Sequence, residues 1–201
     1  MFTVFIVDDD ARVIKALSRL VRVKGYDVRG YTSPQEFLAA HDAAVPGCAL
    51  LDVAMPGLDG LELQQALTAG GSHRPVIFIT GRSDIPTSVH AMKAGAIDFL
   101  TKPVNNADLL AAIARAQEHD AKSRETRAEL AAIQTRIATL TPREREVLTH
   151  VVAGRLNKQI AYDLGTVEKT IKFHRSAIMR KLGVRTVADL VRMAEKADVS
   201  K

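Results

Sequence analysis

Five short runs rich in β-branched and aromatic side chains, Thr3 to Val7, Asp27 to Tyr31, Ala49 to Asp52, Val76 to Thr80 and Asp98 to Thr101, punctuate the first hundred residues. Their order limits the possible folds more than any other feature. The runs have the length of strands, and the stretches between them, near Ala11 to Lys24, Pro34 to Ala40, Leu61 to Ala69 and Ile85 to Ala94, space their apolar residues as helices do. Strands that alternate with helices need crossover connections, so the sheet is parallel and helices cover both faces. The expectation is an α/β, five-stranded, doubly wound parallel sheet.

The sharpest anomaly lies at the end of the first run, where "VFIVDDDARV" places Asp8, Asp9 and Asp10 in succession. Ligands of an open parallel sheet bind outside the carboxyl ends of its strands. Asp8 and Asp9 follow the first strand, Asp52 ends the third, Thr80 ends the fourth and Lys102 lies just beyond the fifth. All five fall at one edge. Carboxylates converging there repel one another unless a cation fills the gap, and carboxylates with water suit Mg²⁺ or Mn²⁺. A metal beside a hydroxyl and a lysine makes a place for a phosphoryl group. Asp52 then reads as its acceptor, since the ion cancels the charge that would repel an incoming phosphate. Asp10, directly before a helix, reads as an N-cap.

The remainder of the chain has another character. Residues 1–119 carry 11 Lys and Arg against 13 Asp and Glu, net −2, whereas residues 120–201 carry 17 against 10, net +7. A basic half of this kind points to a polyanion such as nucleic acid. From Asn105 onward Leu109, Leu110 and Ile113 give way to the polar "QEHDAKSRETRAEL", then to a stripe of Leu130, Ile133, Ile137 and Leu140. This is one long helix or two with a joint, and its middle is read as a linker; the stripe is a short candidate coiled-coil seam. "LTPREREVL" then opens a second domain: Thr141 caps, Pro142 occupies the first helical position, and Glu144 completes a capping box. Gly154 ends that helix, Asn157 to Leu164 forms a short second, Gly165 turns, Glu168 to Leu182 forms a third, and Thr186 caps a fourth. The expected division is residues 1–117, a helical linker over 118–138, and an all-α four-helix domain over 139–201.

With 47% apolar residues in 201, the chain can bury proper cores without staples. Cys48 is the only cysteine, which excludes an internal disulfide, favours a reducing, cytoplasmic setting, and suits a small buried hydrophobe. No basic segment leads into a long apolar one at the start, and no window approaches ~18 uncharged apolar residues, so neither a secretory leader nor a membrane span is expected. His41, His73, His90 and His119 read as surface residues.

Taken with their spacing, "VDDD" (7–10), "LLDVAMPGLDG" (50–60), "ITG" (79–81) and "AMKAGAIDFLTKP" (91–103) resemble the receiver domain of two-component response regulators over about Met1 to Gln117, a flavodoxin-like fold. The resemblance implies that Asp8 and Asp9 hold Mg²⁺ together with Asp52 and the backbone carbonyl of Ala54. It implies that Asp52 takes phosphate from a sensor histidine kinase, that Thr80 and Lys102 contact the phosphoryl oxygens, and that Phe99 is the aromatic that rotates inward when Thr80 moves.

In the basic half, "NKQIAYDLGTVEKTIKFHRSAIMRKL" has a helix-turn-helix pattern. Ile160, Ala161, Leu164, Ile171, Ile178 and Leu182 can face a core, leaving Lys158, Lys169, Lys172, Arg175, Arg180 and Lys181 on outer faces. With the helices around it, Leu140 to Val199 resembles the LuxR-type DNA-binding domain, and the whole chain resembles the NarL/FixJ family of response regulators. That resemblance makes Glu168 to Leu182 the recognition helix. It makes Lys169, Thr170, Lys172 and His174 candidates for groove contact, and Lys158, Arg175 and Lys181 for DNA phosphates. One position departs from the family: Val167 stands where Ser or Thr often caps the recognition helix, leaving Thr166 as the candidate cap. The implied function is a regulator whose phosphorylation promotes a homodimer on double-stranded promoter DNA, acting with RNA polymerase, more often to activate than to repress. A constitutive, phosphorylation-independent dimer is the alternative. A phosphohydrolase of the haloacid-dehalogenase type fits poorly, because Ala11 and Arg12 follow Asp10 and only Asp108 follows Lys102 nearby.

Overall fold

The computed structural model describes residues 1–81 and 85–197, which form two compact units, Met1–Arg124 and Glu125–Lys201. Residues 198–201, assigned by sequence to the second domain, lie outside the described residues.

In the first unit, β1 (Thr3–Val7), α1 (Ala11–Val23), β2 (Asp27–Tyr31), α2 (Pro34–Ala40), β3 (Gly47–Asp52), α3 (Gly60–Ala69), β4 (Val76–Thr80), α4 (Ile85–Lys93) and β5 (Asp98–Thr101) alternate as expected. The strands form one parallel sheet in the order β2-β1-β3-β4-β5. Successive side chains point to opposite faces of a strand, and the two cores divide accordingly. Val4, Ile6, Cys48, Leu50, Ile77 and Ile79 pack with Leu17 and Val21 of α1 and with Leu109 and Ile113 of α5 (Asn106–Ala138). Phe5, Val7, Ala49, Leu51, Val76 and Phe78 pack with Phe37 of α2, Leu63 and Leu67 of α3 and Ala91 of α4. The central strands are apolar on both faces for this reason. Cys48 is fully buried and its thiol is pushed up to about 12 by burial, so it is inert.

One helix, α5, spans the region read as one helix or two. Its polar middle is not all free of the first unit: Asp120 is buried, accepting from the Gly47 N–H at 3.2 Å and from Arg124 Nε at 2.8 Å. The Arg124 guanidinium donates to the carbonyls of Ala43, Ala44 and Val45. Hydropathy misses this attachment because it is made by charge and backbone rather than by apolar surface. His41 also departs from expectation. It is half-buried, with Nε2 3.0 Å from Ser72 Oγ and its ring edge-on to Phe37, and burial and the Arg74 charge lower its pKa. His73, His90 and His119 are exposed.

The second unit packs the end of α5, α6 (Pro142–Val152), α7 (Asn157–Asp163), α8 (Glu168–Leu182) and α9 (Val187–Lys196) around Leu140, Val147, Leu148, Ile160, Ile171, Ile178, Leu182 and Leu190. The capping box at the head of α6 is made in both directions: Thr141 Oγ1 accepts from the Glu144 N–H at 3.2 Å, and Glu144 accepts from the Thr141 N–H at 2.8 Å. Ile137 and Leu140, the end of the candidate coiled-coil stripe, pack against this unit's own core. The cap of α8 is Val167, with no side-chain hydrogen bond, so Thr166 does not take that role.

Candidate functional site: an acidic strand edge and a basic helix

Parallel register brings the expected residues together. Val7 pairs with Leu51, Asp52 with Ile79 and Thr80 with Thr101, so the residues that end or follow these strands stand side by side. Asp8, Asp52 and Thr80 are buried, Asp9 is exposed, and Lys102 lies between. The Lys102 N–H donates to the Thr80 carbonyl at 2.7 Å, extending the pairing by one residue and placing the side chain over the edge. Its ammonium reaches Asp8 Oδ2 at 2.6 Å and Asp52 Oδ1 at 3.1 Å. Burial alone would lower the Lys102 pKa, but its hydrogen bonds to Asp8 and Asp52 prevail and raise it. Burial pushes the Asp52 carboxyl above its ordinary range; Lys102 opposes this, and the charges of Asp8 and Asp9 add to it.

Asp10 takes no part in this cluster. Its carboxylate accepts from the Arg12 N–H at 2.8 Å, capping α1, and is gripped by the Arg12 guanidinium, which holds its pKa down at about 2. Its own N–H donates to Asp8 Oδ1 at 2.9 Å, so the third acid of the run orients the first.

Asp8, Asp9 and Asp52 each offer an oxygen to a set whose members all lie within 4.8 Å of one another. Three hard oxygen donors, two of them buried, fit Mg²⁺ or Mn²⁺ with water completing the shell. Ala54 lies in the loop after β3, exposed. Gly60 seats that loop: its N–H donates to the Val53 carbonyl at 3.1 Å, and an added Cβ would lie 2.3 Å from the Asp52 carbonyl oxygen. Gly60→Ala is therefore expected to destabilise the first unit by about 1–3 kcal/mol, read by thermal denaturation. Phe99, on β5, is half-buried with its ring tilted against Phe78 at 6.2 Å.

In the second unit Ile160, Ala161, Ile171, Ile178 and Leu182 are buried in the core as read from sequence, and Leu164 packs against it partly buried. Lys158 and Lys169 are exposed, with no ion-pair partner among the described residues. Lys172 pairs with Glu168 at 2.9 Å across one helical turn, and Arg175 donates to Asn157 at 2.7 Å, tying α8 to the start of α7. Thr170 and His174 flank the exposed face of α8, half-buried, and that face also carries Phe173 and Ser176, which the sequence reading left out. Lys181, expected at a DNA phosphate, also makes contacts within the unit: it reaches the buried Glu144 at 2.6 Å and the Thr139 carbonyl at 3.3 Å.

A parallel five-stranded sheet that gathers three aspartates, a threonine and a lysine at one edge defines a receiver domain, and the response regulator receiver model matches residues 4–114. The model of bacterial regulatory proteins of the luxR family matches residues 138–194. The chain belongs to the NarL/FixJ response regulators, in which a receiver is joined to a LuxR-type helix-turn-helix domain. It is 43% identical over 197 residues to nodulation protein W of Bradyrhizobium diazoefficiens, covering 98% of this chain and 87% of that one. It is 42% identical over 200 residues to the transcriptional regulatory protein FixJ of Azorhizobium caulinodans, covering 98% and 93%. Among solved structures, the response regulator StyR matches with a TM-score of 0.84 and 44% identity over 97% of this chain and 98% of that one. FixJ is named a transcriptional regulatory protein and StyR a response regulator, and no described helix of this chain is long and apolar enough to cross a membrane.

Proposed function

We propose that Asp52 is phosphorylated by a sensor histidine kinase and that this drives homodimerisation and binding to promoter DNA. The observation that carries the reading is the convergence of Asp8, Asp9 and Asp52 beneath the Lys102 ammonium, 3.1 Å from Asp52. An Asp52 carboxylate oxygen attacks phosphorus, the bond between phosphorus and the kinase imidazole nitrogen breaks, and the imidazole leaves with the electron pair. Lys102 neutralises one equatorial phosphoryl oxygen and the Thr80 hydroxyl donates to another. Asp8, Asp9, Asp52 and the Ala54 carbonyl would hold Mg²⁺, which supplies charge neutralisation between nucleophile and phosphate.

Thr80 drawn toward the new phosphoryl group opens space for the Phe99 ring, and the surface of α4 and β5 changes with it. A shift in population toward a dimer follows. Two copies of α8 then meet successive major grooves of a two-fold site. Lys169, Thr170, Lys172 and His174 reach base edges, and Lys158 and Arg175 hold phosphates. Residues 1–117 act as the receiver, 118–138 as linker and 139–201 as the DNA-binding domain, with activation through RNA polymerase as the outcome.

Intact mass after incubation with acetyl phosphate and Mg²⁺ tests this, with oligomeric state measured on the same samples. Wild type is expected to gain one phosphoryl group and shift toward dimer, while Asp52→Asn folds normally and does neither. No adduct on wild type, or equal dimerisation of both proteins, overturns the reading.

A further inference from the structure

Helix α8 has one solvent-facing side. At about 100° per residue, Lys169, Lys172, Phe173, Ser176 and Arg180 fall within a narrow arc and all are exposed, opposite the buried Ile171, Ile178 and Leu182. Four of these five are cationic or hydroxylic. The fifth is a phenyl ring, 69% exposed, whose ring contact is an edge-on approach to the neighbouring His174 at 6.0 Å.

Single exposed apolar side chains are common and need no partner. The position of this one sets it apart. It sits in the N-terminal half of the recognition helix, one turn beyond Lys169 and next to Lys172 in sequence, at one edge of the face whose charge fits a nucleic acid. Other exposed apolar side chains of the unit, Leu156, Tyr162, Val167 and Val187, lie at the start of or on α7, in the turn before α8, or on α9. In a major groove the base edges present hydrogen-bond donors and acceptors, together with one apolar group, the C5-methyl of thymine.

We infer that Phe173 reads thymine, burying its ring against the C5-methyl in the major groove and setting a thymine preference in each half-site. Cytosine, adenine and guanine offer the ring no such methyl and leave it against polar edges. Lys169 and Lys172, by hydrogen bonds to base edges, bind alike whether or not thymine carries its methyl; Phe173 supplies the discrimination between thymine and a base without it. This inference rests on the proposal that α8 enters the groove.

The test uses the full-length protein treated with acetyl phosphate and Mg²⁺, on duplexes that it selects from a random-sequence pool. Each thymine is replaced in turn by deoxyuridine, which pairs identically but lacks the methyl, and Kd is measured by fluorescence anisotropy at fixed salt. One thymine in each half-site is expected to respond, its replacement weakening binding about fourfold, the worth of one buried methyl-sized group. Phe173→Ala should bind thymine and uracil duplexes equally at that position, and Phe173→Leu should retain part of the preference, both with unchanged melting temperature. The inference is overturned if no thymine responds, or if Phe173→Ala keeps the discrimination or the full affinity. Lys172→Ala separates the two levels: if it weakens binding to every duplex while no thymine responds, α8 is in the groove and only the role of Phe173 fails. If no duplex is enriched and binding is insensitive to salt, the groove reading itself fails, and the inference with it.

Discussion

Lys102→Ala is expected to destabilise the first unit by about 3 kcal/mol when divalent ions are chelated, with saturating Mg²⁺ restoring most of the loss. The Lys102 ammonium lies 2.6 Å from Asp8 and 3.1 Å from Asp52, two carboxylates whose side chains are only 3% and 6% exposed. Removing one partner of a buried ion pair leaves the other charge desolvated and unpaired, a loss of about 3–5 kcal/mol. The Lys102 side chain keeps 26% exposure, which places the effect at the low end. A divalent ion at the same oxygens replaces the missing charge, and binding to the folded state alone stabilises by about 2.7 kcal/mol at a hundred times Kd. Hydrogen exchange at the amides of β1 and β3 in EDTA and in Mg²⁺ reports this locally. Equal protection of variant and wild type in EDTA would falsify the electrostatic account of this edge. Asp52→Asn should behave oppositely, leaving stability in EDTA unchanged or raised, because burial already disfavours the Asp52 charge.

Loss of the second buried pair has a different signature. Lys181→Ala is expected to destabilise the second unit by about 2–3 kcal/mol near neutral pH and to flatten its acid response. Glu144 is buried, accepting from Lys181 at 2.6 Å and from the Thr141 N–H at 2.8 Å, and the hydrogen bond from Lys181 is the main reason its carboxyl titrates below the ordinary 4.5. A carboxyl with a lowered folded-state pKa contributes stability that is complete above its unfolded value and lost as pH falls through the folded one. The wild-type unit should therefore weaken as pH drops from about 4.5, and Lys181→Ala should lose most of that slope. Chemical denaturation followed by hydrogen exchange in α6 and α8 across this range decides it; a parallel acid response in both proteins would place the effect elsewhere. The same pairing predicts a small change in the salt dependence of DNA binding for this variant. A lysine that contacts a DNA phosphate would lower the slope by about one unit.

The alternation of Thr3–Val7, Asp27–Tyr31, Val76–Thr80 and Asp98–Thr101 with helical stretches was enough to foresee a doubly wound parallel sheet, and those four strands have the expected bounds. The acidic edge was legible for a related reason. Strand ends in such a sheet share one side, so residues distant in sequence, Asp8, Asp52, Thr80 and Lys102, could be placed together before any distance was known. The cap at Thr141 was equally readable, since a capping box is written within four residues.

What escaped the sequence depends on partners far away along the chain. Asp120 and Arg124 sit in a stretch too polar to suggest packing, yet they hold the Gly47 N–H and three carbonyls of residues 43–45. Lys181 looks like any exposed cation of a basic helix until Glu144, 37 positions earlier, is found beside it. Phe173 was passed over although Ile171, Ile178 and Leu182 had been read as core-facing; with those three buried, α8 leaves it on the solvent side, 69% exposed. Periodicity, caps and strand ends are local or follow from a repeating topology, so the sequence alone determined the two folds and the residues of the acidic edge. Which charges are consumed inside each unit, and which side chains remain for a partner, is set by contacts between distant segments, and that the tertiary structure alone decided.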